Sequence, residues 1–146
     1  MSLGDVFRTS ASALSANTVR INTTASNLAN AESAASSIDE TYRARHPVFA
    51  AVAKEALDIN FDTLDAGPSE TSGVQVLGVV ESNAPLQQRY EPGHPLANED
   101  GYVFYPNVNA VEELTNMISS SKAYQMNVEV LNSAKSMMQR ILTLGQ

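Results

Sequence analysis

The chain of 146 residues has the length of one ordinary domain, and nine Lys plus Arg against sixteen Asp plus Glu give it a net charge of −7. Gripping a phosphate backbone takes clustered cations, so nucleic acid is excluded as a partner. Without cysteine and with two histidines, disulfides, thiolate chemistry and a zinc centre have nothing to build on, and no cofactor or metal is expected.

The longest apolar run, Pro47 to Ala53, is far shorter than the ~20 residues that cross a bilayer, so no membrane span is expected. The first residues include Asp5 and several polar side chains where a secretory signal has its apolar stretch, so no cleaved signal peptide is expected either.

Breakers and charge divide the chain into three. All six prolines lie from Pro47 to Pro106, and five of the seven glycines from Gly67 to Gly101. Residues 1–31 carry two Arg and one Asp, residues 114–146 carry three cations and one Glu, and the segment between holds the remaining charge, −10. The expected class is α+β: a helix in residues 1–31, a β-rich middle over 32–107, and a second helix in 108–146.

In the first segment Phe7, Ala11, Leu14, Thr18, Ile21, Ala25 and Leu28 recur at spacings of four and three, which predicts a helix from about Leu3 to Asn30 with one packing seam. Ser2 can cap its start, and Asp5 suits the positive end of the helix dipole. In the middle segment, Tyr42–Phe49, Val74–Val80, Leu86–Tyr90 and Tyr102–Tyr105 read as strands, with Val74, Val76 and Val80 on one face. Ala51–Leu57 can form a helical turn, and the stretch from 50 to 72, with Asp58, Asp62 and Asp65, reads as an acidic, mobile loop.

After Pro106, Asn109 followed by Glu112 offers a capping signal for the last helix. One seam of that helix holds Leu114, Met117, Ser121, Tyr124, Val128, Leu131, Lys135, Met138 and Leu142. A second, offset by about one residue, holds Val130, Ala134, Met137, Ile141 and Leu144. One antiparallel partner covers one seam. Phe7, Leu14, Ile21 and Leu28 are expected to meet Tyr124, Val128, Leu131 and Leu142 within the chain, leaving the second seam for neighbouring copies.

No spaced signature of acyl, phosphoryl or hydride transfer is present, and an enzyme is not expected. His46 and His94 each precede a proline, which suits a structural turn better than a mobile base. Glu112 and Glu113 read as acids at a helix N-terminus, Ser119–Ser121 as a small-residue packing patch, and Met126, Met137 and Met138 as adaptable core.

Several of these residues also form longer motifs. Ser12–Ala16 (SALSA) and Ala25–Ala31, with Ser26, Asn27, Leu28, Ala29, Asn30 and Ala31, resemble the opening helix of the bacterial flagellar rod, hook and hook-associated proteins. Thr41–Arg45 agrees, as do Tyr90–Ala97 (with Pro92, Gly93, His94 and Pro95) and Gly101–Asn109 (with Tyr102, Val103, Pro106, Asn107 and Val108). So do Ala123–Asn127 and Lys135–Met138, and the short middle segment is similar to that of proximal rod members. The resemblance implies a discontinuous inner domain made of both terminal helices, and a structural role in the basal-body rod, which transmits torque. It further implies export by the flagellar type III apparatus. The implied partners are other rod proteins, ring and export-gate components, and copies of itself. The competing expectation is a soluble coiled-coil adaptor or secreted effector that builds no rod.

Overall fold

A computed structural model describes residues 3–53 and 71–144. Helix α1 spans Leu3–Ala29, strand β1 Arg45–Ala53, β2 Thr71–Glu81, β3 Gln87–Tyr90, β4 Tyr102–Tyr105, and helix α2 Ala110–Leu144. Two antiparallel hairpins, β1–β2 and β3–β4, form the expected β-rich middle between two long terminal helices.

The ends of the helices follow from local chemistry. Asn109 accepts backbone N–H bonds from Val111 (3.1 Å) and Glu112 (3.4 Å) through Oδ1, satisfying donors that the first turn of α2 leaves free. At the end of α1, Asn30 donates through its backbone N–H to Ser26 and Asn27, and through Nδ2 to the Ser26 carbonyl at 2.8 Å. The expected cap at Ser2 lies outside the described residues.

Helix α1 packs against α2 on one side and against both β1 and β2 on another, whereas among the described residues α2 does not pack on the hairpin. The order of layers is therefore α2, α1, β1–β2. Two contacts fix the hairpin along α1: Ser12 Oγ accepts the Val74 N–H at 3.1 Å near one end, and Asn27 holds Arg45 at the other. Between them the Arg20 guanidinium lies 5.0 Å from the centre of the Phe49 ring. A Cβ on Gly73 would come within 2.6 Å of Ser12 Oγ, so a glycine is needed where the strand crosses the helix.

The second hairpin is attached through irregular chain. Ala35 and Phe104 exchange backbone hydrogen bonds of 2.9 and 3.0 Å, and Val103 and Pro106 are fully buried beside this junction.

Three expectations about the middle segment change. The first strand begins at Arg45, not Tyr42, and continues through Ala51–Ala53, where a helical turn was expected; residues 54–70, including Asp58, Asp62 and Asp65, lie outside the described residues. The single face of Val74, Val76 and Val80 is interrupted, because Val48 pairs with Gly78 and Phe49 with Val76, leaving Leu77 as a bulge that breaks the two-residue alternation.

Candidate assembly surface and the network that supports it

Among the described residues the apolar core is slight: Ala16, Ala44, Val103, Val108 and Ala134 are its buried members. Polar side chains are buried as often, namely Ser10, Thr23, Thr24, Asn27, Thr41, Glu113 and Ser120. Small side chains let two helix backbones approach closely, and hydroxyls in such a seam can bond to their own helix, as Thr23 does to the Val19 carbonyl at 2.8 Å.

At the near end of the helix pair, Asn27 is 1 % exposed and uses its whole side-chain amide. Nδ2 donates to the Arg45 carbonyl (2.8 Å) and to Glu113 Oε1 (3.0 Å). Oδ1 accepts from the Arg45 N–H (2.9 Å) and the Tyr42 hydroxyl (2.9 Å). One side chain thus ties α1 to the start of β1 and to the first turn of α2. Ser26 Oγ lies 3.2 Å from the same Tyr42 oxygen.

Asn107 does parallel work for the other junction. Its Oδ1 accepts the Ala44 N–H at 2.8 Å, and its Nδ2 donates to the carbonyls of Ser82 (3.3 Å) and Ala84 (2.9 Å). The motif residues around β3–β4 are likewise structural. Gly101 has φ +80°, and a Cβ there would lie 2.9 Å from the Tyr90 ring and 3.2 Å from Pro92. The Tyr90 and Tyr102 rings meet edge to face at 5.2 Å. His94 Nδ1 accepts the Leu96 N–H at 3.1 Å within the loop. Tyr105 donates to Glu91 Oε2 at 3.3 Å; burial first, then the Glu91 charge, raises its phenol above the ordinary value. Ser26, Leu28, Asn30 and Ala31 line the C-terminal turn of α1, and Pro106 and Val108 are buried at the entry to α2. Gly93 has open space around it.

The seam expectations are redrawn. On α1 the buried stripe is Ser10, Ala16, Thr23, Thr24 and Asn27, while Ala11, Thr18 and Ala25 are exposed and Phe7, Leu14, Ile21 and Leu28 are half-buried. The reason is the three-layer order: a helix covered from two sides has no single seam. On α2 the covered stripe runs Glu113, Met117, Ser120, Asn127, Leu131 and Ala134, about one residue off the predicted one, with Val128 half-buried beside it. Ala134, expected on the outward seam, is 1 % exposed and faces inward. Leu114, Tyr124, Met138 and Leu142, expected inward, are exposed. Met126, Met137 and Met138 are surface residues rather than core.

What remains uncovered is extensive. Val130, Met137 (52 %) and Ile141 (65 %) are exposed together with Leu142 (66 %), and Val111 and Ile118 add exposed apolar surface nearer the start of α2. The Leu144 side chain lies outside the described residues. Glu113 and Tyr42, central to the supporting network, were not legible as such; the signal for Glu113 was its place in the first turn of α2, where a carboxylate is favoured. Among the described residues no helix is long and apolar enough to cross a membrane.

Known proteins match this sequence along its whole length. A family profile described as flagella basal body rod protein matches residues 7–32, and one described as flagellar basal body rod FlgEFG protein C-terminal matches residues 99–144. Relatives named flagellar basal-body rod protein FlgC are 46 % identical in Salmonella typhimurium and 47 % in Escherichia coli O6:H1, in each case over the whole of both chains. The relative of that name in Borreliella burgdorferi is 33 % identical over all of this chain and 99 % of its own. The chain, matched in sequence from end to end by these relatives, belongs to the FlgC family of flagellar basal-body rod proteins, structural subunits of the rod.

Proposed function

We propose that this rod subunit is exported by the flagellar type III apparatus and is built into the periplasmic part of the basal body. There its terminal helices pack side by side with those of neighbouring rod subunits, and with ring and export-gate components at the boundaries, in a helical tube that transmits torque. The observation that carries this is the uncovered stripe on α2: Val130, Met137 and Ile141 are exposed, and apolar surface of that extent suits a partner better than water. The inner unit comprises residues 1–31 and 108–146, with 32–107 projecting from it.

Contacts between such unlike surfaces are heterologous, so they propagate as a helix and do not close a dimer. Torque transmission then requires no chemistry, only interfaces packed closely enough not to slip.

The test is to express Met137→Asp and Ile141→Asp in a strain lacking the wild-type chain. Each chain is expected to be exported yet absent from isolated basal bodies, leaving cells non-motile, because burying an unpaired carboxylate costs several kcal/mol at each repeated interface. Wild-type motility of both variants would remove the stripe from the assembly.

A further inference from the structure

The junction of α1, β1 and α2 holds more than the Asn27 network. Beside it lies a cavity of about 190 Å³, lined by Arg20 and Thr24 of α1, Arg45 and His46 of β1, and Glu113 and Asn116 of α2. Thr24 (4 % exposed) and Glu113 (5 %) form its floor, while Arg20, His46 and Asn116 are exposed at its mouth.

The chain does not satisfy this lining by itself. Thr23, on the same turn of α1, bonds back to the Val19 carbonyl, but the Thr24 hydroxyl makes no hydrogen bond among the described residues, where a buried hydroxyl ordinarily has one. Arg20 rests on the Phe49 ring and forms no ion pair among the described residues, and neither His46 nor Asn116 is hydrogen-bonded there through its side chain. Arg45 is shared between Glu81 and the Tyr42 ring, and Glu113 gives Oε1 to Asn27 at 3.0 Å. Donors therefore outnumber acceptors: two guanidiniums, a hydroxyl, an amide and an imidazole stand against one carboxylate.

We propose that this cavity is a carboxylate-binding site, filled in the rod by an Asp or Glu side chain of a neighbouring subunit; the source of the carboxylate, though not the site, rests on the rod-subunit reading above. The planar fork of Arg20 matches the two oxygens of a carboxylate, and Asn116 and Thr24 supply further donors. The volume admits one side-chain head and nothing as large as a nucleotide. Charge points to the same occupant: a chain of net −7 presents mostly acids to its copies, and an unpaired guanidinium at a polar cavity is where one of those acids is accepted. Glu113 opposes the incoming charge, moderated by its place in the first turn of α2, where the helix dipole is positive.

Acetate is the probe. In amide NMR of the full-length chain, sodium acetate set against sodium chloride at equal ionic strength is expected to move the signals of Thr24, His46 and Asn116 saturably. Arg20→Gln should weaken this binding roughly fivefold or more, and Thr24→Val, which leaves the Arg20–Phe49 contact in place, roughly threefold. Glu113→Gln keeps an oxygen for Asn27 and should strengthen binding roughly twofold or more, a gain that loss of a merely structural carboxylate would not give. In basal bodies isolated from cells carrying Arg20→Lys, a carbodiimide, which condenses an amine with a carboxylate in contact, should join position 20 to an Asp or Glu of another subunit, read by mass spectrometry. Shifts that chloride reproduces, or that survive Arg20→Gln unchanged, overturn the site. A link from position 20 to Glu113 and to no other chain overturns the neighbour as its occupant. If Met137→Asp still blocks incorporation in either case, α2 remains an assembly surface and only the present inference falls.

Discussion

The two ends of the helix pair are made by opposite chemistry. At the near end one buried amide, Asn27, satisfies four groups from β1, the loop before it and α2. At the far end nine consecutive residues of α2 are exposed, with Met137, Met138, Ile141 and Leu142 among them. Hydrogen bonds are directional and saturable, so the near end is complete within one chain. Apolar surface is neither, so the far end is completed by whatever covers it. A subunit built this way keeps a fixed elbow between helices and hairpin while leaving its adhesive surface for assembly.

That contrast can be broken most severely at Asn27. Asn27→Ala strands the Arg45 peptide, the Tyr42 hydroxyl and the Glu113 carboxylate, each a loss of ~1–3 kcal/mol, so a total of at least ~3 kcal/mol is expected in urea unfolding of the purified chain. A loss under 1 kcal/mol would mean that the near end is not held by this amide. Asn107→Ala, which frees Ala44, Ser82 and Ala84 in less buried surroundings, should cost about 2 kcal/mol by the same measurement. Gly101→Ala forces a Cβ against Tyr90 at positive φ and should cost about 1–2 kcal/mol, visible as a lowered Tm.

The smallest effect on the monomer is expected at the far end. Ile141→Asp should change unfolding free energy by no more than about 0.5 kcal/mol, while abolishing incorporation into the rod. A large destabilisation of the isolated chain would place Ile141 in a monomer core and erase the difference between the ends. Amide exchange gives the finest resolution: protection should be greatest around Asn27, Arg45 and Glu113 and fall progressively along α2 beyond Ala134.

Much of this was legible from residue order alone. Spacings of three and four give both helices, and Asn109 marks where the second begins, because these signals act within a few residues and need no partner. The placement of individual seam residues was not. Ala134 is covered and Leu142 bare because α2 is longer than α1 and α1 is covered twice, facts that depend on which elements meet. The strand start moved from Tyr42 to Arg45 for a related reason: Tyr42, with good β propensity, gives its hydroxyl to Asn27 instead.

The motif asparagines carry the same lesson. Asn-Leu-Ala-Asn and Pro-Asn-Val mark the chain as a rod subunit when read as strings, yet what Asn27 and Asn107 do is invisible until residues far apart in sequence are brought within 3 Å or so of their amides. Periodicity, capping and composition are local, and the sequence by itself determined two long helices around an acidic β-rich middle, with more apolar helix surface than one chain covers. Only tertiary structure decided which face of α2 is left bare, which amides lock the elbow, and that one helix outruns the other, since those outcomes follow from the relative position of whole elements.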